Sequence, residues 1–115
     1  MGARVTWPFT ALAQEPGRTY RLGCLFTARR GDDPVYKALF DELRRGGFIE
    51  GQNLTVEWRT WGGHVDLIPQ YAAELVKARV DVIVTAGDDA ARALQRATKT
   101  IPIVALVGDM VGSGN

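Results

Sequence analysis

From Tyr20 onward the apolar positions of this chain switch between continuous runs and helical spacing. Tyr20-Arg21-Leu22-Gly23-Cys24-Leu25-Phe26 reads as a first strand. The loop Thr27 to Pro34 behind it is rich in charge and turn formers, and Asp33-Pro34 is placed to cap and open a helix. From Val35 to Arg45 the apolar residues fall at positions 35, 36, 39, 40 and 43, a helical stripe that Gly46-Gly47 stops. After a connecting turn, Leu54 to Arg59 alternates and predicts a half-buried strand at a sheet edge. Asp66 is placed to cap a helix over Leu67 to Ala78, with Ile68, Tyr71, Ala72, Leu75 and Val76 on its core face. Pro69 sits in the first turn, where proline is tolerated. Val80 to Thr85 is a near-continuous apolar run, the mark of a central parallel strand. A third helix follows from Asp88 to Thr98, and the run that begins Ile101-Pro102-Ile103-Val104 supplies a fourth strand.

The order is β-α-β-α-β-α-β, and right-handed crossovers turn it into an α/β fold. The expected architecture is a three-layer parallel sheet of spatial order 2-1-3-4 with helices on both faces, flavodoxin-like or Rossmann-like. Such sheets bind ligands outside the C-terminal ends of their strands. Here Val82 to Gly87 runs straight into the helix at Asp88, which leaves backbone N–H groups free at that edge. The fourth strand, read alone, is an open edge, which points either to a homodimer formed through it or to a missing second half.

Composition narrows the function classes. The chain has 115 residues, 46% hydrophobic and 23% charged, with a formal net charge of +1. That is one ordinary domain with no electrostatic footprint for nucleic acid or a membrane surface. Cys24 is the only cysteine and lies in an apolar strand, so it reads as a small buried hydrophobe. No segment is long enough to span a bilayer. Val5 to Ala13 is a short apolar run ending in Ala-x-Ala, with Arg4 the one basic residue before it. Residues 1–19 are therefore expected to be the remnant of a signal peptide, cut after Ala13, and a flexible tail. Residues 20–115 are expected to form the α/β domain.

The candidate chemistry is sparse. Asp32 and Asp33 invite comparison with receiver-type signalling domains, but Thr85-Ala86-Gly87 stands where a phosphate-accepting aspartate belongs. His64, the only histidine, has no partner at metal-ligand spacing and reads as a surface loop residue. No GxSxG, P-loop or GxGxxG follows any strand, and no nucleophile–base pair is present. The chain is not read as an enzyme, and it implies no metal and no cofactor. Trp58 reads as a core residue, while Phe26 and Tyr36 flank the first βα loop within reach of a pocket at the sheet's C-terminal edge.

Several segments taken together resemble one family. They are Phe40-Asp41-Glu42-Leu43-Arg44-Arg45-Gly46-Gly47-Phe48-Ile49-Glu50-Gly51-Gln52-Asn53-Leu54, then Leu67-Ile68-Pro69-Gln70-Tyr71-Ala72-Ala73-Glu74-Leu75-Val76, then Val80 to Gly87. Ala97-Thr98-Lys99-Thr100-Ile101-Pro102-Ile103-Val104 and Gly108-Asp109-Met110-Val111-Gly112-Ser113-Gly114 complete the set. They are similar to ABC-transporter substrate-binding proteins of the tryptophan/tyrosine type, which have the type I periplasmic-binding-protein fold.

The resemblance implies half of the first lobe of a two-lobed, periplasmic or otherwise extracytoplasmic receptor. Such a receptor closes on a small amino-acid-like solute, aromatic or branched, and hands it to an ABC permease. It places the ligand at the loops after strands 1, 3 and 4. By position these are Thr27 and Ala28, then Thr85, Ala86, Gly87 and Asp88, then Gly108 and Asp109. Two departures stand out. Asp88 and Asp89 occupy positions where the family commonly has threonine or serine followed by proline, although Asp88 also suits a helix cap. Family members are also roughly twice this length or more, as two domains require. The expected domain is thus a truncated first lobe of weak affinity. The competing reading is a stand-alone, non-catalytic domain that dimerises through its edge strand, with a receiver-like domain third.

Overall fold

The computed structural model describes residues 18–29, 31 and 34–106. Strands β1 (Tyr20–Phe26), β2 (Leu54–Thr60), β3 (Val82–Ala86) and β4 (Ile103–Leu106) alternate with helices α1 (Pro34–Arg45), α2 (Ile68–Lys77) and α3 (Asp88–Ala97). All pairings are parallel and the sheet order is β2-β1-β3-β4, as the element order predicts. The expected helices on both faces are present, because the alternation of β1 divides the core in two. Tyr20, Leu22, Cys24 and Phe26 face α1, where they meet Leu39, Leu43, Phe48 and Leu54. Leu25 and Ile83 face the other way, onto Ile68, Ala72 and Leu75 of α2 and Ala90, Ala93 and Leu94 of α3.

Gly23 is a close-approach position on that second face. A Cβ there would lie 3.2 Å from Val80 Cγ2 and 3.3 Å from both Ile83 Cγ1 and Leu75 Cδ2. The missing side chain is what lets α2 sit down on β1.

The edge strand β2 is two-sided. Trp58 stacks on Phe26 at 4.9 Å between ring centroids on the α1 side. Its opposite face is held by charge instead: Arg59 pairs with Glu74 of α2 at 2.7 Å and with Glu57 at 3.6 Å, and Gln70 donates to Glu74 at 3.2 Å. The turn ahead of β2 is a folded unit built on one side chain. Asn53 accepts the Ile49 N–H at 2.8 Å and donates to the Gly47 carbonyl at 2.9 Å. Its own carbonyl accepts the Tyr20 N–H at 2.8 Å, so the turn also sets the register of β2 on β1.

Some expected details differ. Asp66 does not cap α2; residues Val65–Leu67 form a 3-10 turn, and Leu67 takes the N-cap with no side-chain cap bond. A capping carboxylate needs extended backbone at the N-cap, and the tight turn denies Asp66 that conformation. The third strand begins at Val82 rather than Val80. Asp81 bends in to anchor β1, accepting the Arg21 N–H at 2.8 Å and an Arg18 guanidinium at 2.6 Å. Asp33 and the expected signal-peptide remnant lie outside the described residues. Among the described residues no helix is long and apolar enough to cross a membrane.

Candidate functional site

The C-terminal ends of β1 and β3 are neighbours, since Leu25 is the register partner of Thr85. That register sets the Thr27-Ala28 turn and Ala86-Gly87-Asp88 at the ends of neighbouring strands. Gly108 and Asp109 lie outside the described residues. β4 reaches the same edge, with Leu106 opposite Ala86.

Each residue at this edge has a distinct role. Gly87 is the N-cap of α3 with φ 97° and ψ 145°, a left-handed conformation for which glycine is suited. The expected cap at Asp88 is therefore displaced: Asp88 is the first helical residue, and no side chain caps α3. The first intrahelical bond runs from Ala91 N–H to the Gly87 carbonyl. The N–H groups of Asp88, Asp89 and Ala90 thus have no intrahelical acceptor and present a partial positive charge. The carboxylates of Asp88 and Asp89, both exposed, sit at that same terminus, and Asp89 pairs with Arg92 at 3.4 Å.

Thr85 has no solvent exposure, and its hydroxyl donates to the Leu25 carbonyl at 2.6 Å. It cross-links β1 to β3 directly beneath the edge. Thr27 is exposed and Ala28 half-buried. Their carbonyls are stitched to the loop after β2: Gly62 N–H donates to Thr27 at 3.1 Å, and the Thr60 hydroxyl to Ala28 at 3.4 Å. The Trp58 indole N–H in turn donates to the Thr60 hydroxyl at 2.9 Å.

The aromatic residues near this edge form one packed group. Phe26 is buried against Trp58, and Tyr36 meets Trp58 edge-on at 5.5 Å and Phe40 at 5.1 Å. Trp58 is therefore a core residue, as expected, and Phe26 belongs with it. Trp61 was not singled out by the sequence as a site residue. Its backbone N–H donates to the Phe26 carbonyl at 3.1 Å, and its buried indole N–H has no acceptor among the described residues. A tryptophan in a glycine-rich loop directly after a strand was the available signal.

A depression of about 390 Å³ lies elsewhere, between α1 at Tyr36, Phe40 and Arg44 and the turn at Phe48 and Ile49. Its charged rim is internally satisfied, with Asp41 pairing with Lys37 at 3.0 Å and Arg44 at 3.3 Å. These contacts, the Lys37 hydrogen bond foremost, hold the Asp41 carboxyl below its usual range. The strand-end loops do not line this depression, so its volume is no argument about the edge. Among the described residues no group of three or more His, Cys, Asp or Glu is placed to hold a metal.

Comparison with known proteins adds the context that geometry alone lacks. The family model for ABC transporter substrate binding proteins matches residues 26–114. A conserved domain protein from Vibrio cholerae shares 33% identity over 84% of this chain, with a TM-score of 0.73. An ABC domain from Streptococcus pneumoniae in complex with L-Trp has a TM-score of 0.69 at 23% identity over the same 84%. The ligand-free, open structure of a substrate-binding protein with adhesive properties from Clostridium difficile gives 0.67 at 23%, again over 84%. This chain spans 33% of the length of each of these structures. No curated protein matches it.

Proposed function

The chain belongs to the family of ABC transporter substrate binding proteins, and from that premise we propose that it is the ligand-facing N-terminal part of a solute receptor. The receptor works outside the cytoplasm and delivers its ligand to an ABC permease. Residues 1–19 are assigned to the remnant of an export signal and the tail that follows it, and residues 20–115 to the first lobe, a binding module rather than a catalyst. The ligand is small and amino-acid-like. Its carboxylate sits on the N–H groups of Asp88 and Asp89, at the strand ends shared with the Thr27-Ala28 turn, and Gly108 and Asp109 are assigned to the same ligand. Thr85 holds the floor.

The observation that carries this reading is the uncapped start of α3 at the strand-end edge beside the β1 turn. A helix start whose first N–H groups have no intrahelical acceptor, and no capping side chain among the described residues, is suited to an external anion. The neighbour in complex with L-Trp supports an aromatic amino acid as the first ligand to test. The chain spans 33% of the length of each matched structure, so the ligand of the whole receptor is part of this proposal.

Isothermal titration calorimetry with L-tryptophan, L-tyrosine and L-leucine at millimolar concentrations tests the proposal. Saturable binding is expected, and it should be lost with L-tryptophanamide, which lacks the carboxylate. Absence of binding by all three acids, or equal binding of the amide, would refute the carboxylate site at α3.

A further inference from the structure

A second feature lies on the outer face of the α2–α3 layer, away from the strand ends. A groove of about 190 Å³ runs between the two helices. Val65, Pro69 and Ala93 give it an apolar floor, and Asp89, Arg92 and Arg96 form its rim; the Asp89–Arg92 pair at 3.4 Å is exposed on both sides, and such a pair contributes little and exchanges readily. Val65 is 50% exposed, high for a large aliphatic side chain, and lies on the turn entering α2. Arg96 has no ion pair or hydrogen-bonding partner among the described residues.

Charge along α3 is ordered. Its first two residues are Asp88 and Asp89, and its basic residues on this face, Arg92 and Arg96, follow toward the C-terminus. Asp89, Arg92 and Arg96 recur at helical spacing and so share one stripe. Seven residues separate Asp89 from Arg96, about 10 Å along the axis. The midpoint between them falls between Arg92 and Ala93.

These features make the patch complementary to itself in one orientation. Two α3 helices laid antiparallel about a two-fold axis at Arg92–Ala93 bring Asp89 of each copy level with Arg96 of the other. Arg92 then lies against the small Ala93, where its aliphatic stem can pack. A parallel arrangement would set Asp89 against Asp89 and Arg96 against Arg96. Only the antiparallel pairing is both attractive and closed, the requirement for an isologous dimer. We propose that the outer face of α2 and α3 is a contact surface for a second copy of this chain, with the α3 helices antiparallel and Val65 covered at the rim. The groove is small, so the dimer is weak and concentration-dependent, and its ion pairs are salt-sensitive. Asp89 belongs to both regions, its side chain to this surface and its N–H to the start of α3, so ligand titration and sedimentation of the parent chain, rather than of the Asp89 variant, keep the two proposals distinguishable.

Sedimentation equilibrium of the full chain from micromolar to millimolar concentration tests it. The expected result is a rise in mass toward the dimer that is suppressed by added salt. Arg96→Asp should weaken association about tenfold or more, because each like-charge contact occurs twice. The charge swap Asp89→Arg/Arg96→Asp should restore it, with circular dichroism showing both variants folded. A mass that stays monomeric throughout overturns the proposal. So does a dimer indifferent to Arg96→Asp, as pairing through β4 would be, or a swap that fails to rescue.

Discussion

Replacing Thr85 with valine separates the two roles a threonine at the end of β3 can have. The side chain is fully buried, and its hydroxyl donates to the Leu25 carbonyl across the β1–β3 junction. Thr85→Val keeps the shape and removes the donor. Leaving a buried partner short of a hydrogen bond costs about 1–3 kcal/mol. The added methyl returns about 0.8 kcal/mol of apolar burial. The net expectation is a loss of about 1 kcal/mol, the middle of the first range less the second. For a domain of this size that lowers the melting temperature by about 4–8 °C. Urea denaturation followed by far-ultraviolet circular dichroism is the assay; the midpoint should fall while the slope m stays constant, as a change in stability alone requires. Thr85→Ala, which also forfeits methyl contacts, should fall further. If Thr85→Val matched or exceeded the parent, the hydroxyl would not be holding β1 to β3, and its role at the edge would have to be sought in ligand contact.

Other consequences are as open to measurement. Gly23→Ala should destabilise by about 1–3 kcal/mol through overpacking, since three side-chain carbons lie within 3.3 Å of the new methyl; calorimetry showing no loss would mean that α2 can lift freely. Asp88→Thr removes a like charge beside the proposed carboxylate position, worth about 1 kcal/mol at 4 Å in water. Titration with L-tryptophan should therefore tighten about fivefold, and weaker binding would count against an anion at α3. The Arg59 hydrogen bond, reinforced by Gln70, holds Glu74 below its ordinary carboxyl value of 4.5. A carboxyl depressed in the folded state stabilises above the unfolded value, and that stabilisation fades as pH falls through the folded value. Glu74→Gln should accordingly be less stable than the parent at neutral pH and converge with it in acid. A gap of constant size across the same pH range would exclude this linkage.

The fold was legible because its strands and helices carry different periods. The continuous run ending at Thr85 marks a strand buried on both faces, and the alternation of Leu54 to Arg59 marks the edge strand that β2 is. Cap assignments were less legible. Asp66 and Asp88 are good capping residue types, yet capping depends on the backbone angles at one position. At one helix a 3-10 turn takes that position, and at the other Gly87 does. The edge loops could be placed from strand order, whereas the direction of the Thr85 hydroxyl could not. It depends on the register that sets Thr85 beside Leu25, which composition along either strand does not encode. The burial of the Trp61 indole N–H, which has no acceptor among the described residues, likewise depends on a tertiary contact, the loop after β2 folding onto the end of β1.

The central position of β1 has a consequence for how the chain is made. Among the described strands β1 comes first in the chain, yet both of its neighbours come later, β2 beginning at Leu54 and β3 at Val82. The contact between Thr85 and Leu25 closes a separation of 60 residues. Such non-local pairing slows folding, because chain entropy is lost before the contacts form. On the ribosome, β1 therefore waits with one edge bare until β2 emerges and with the other bare until β3 follows. During that interval its apolar run, Leu22 to Phe26, is open to pairing with another nascent chain.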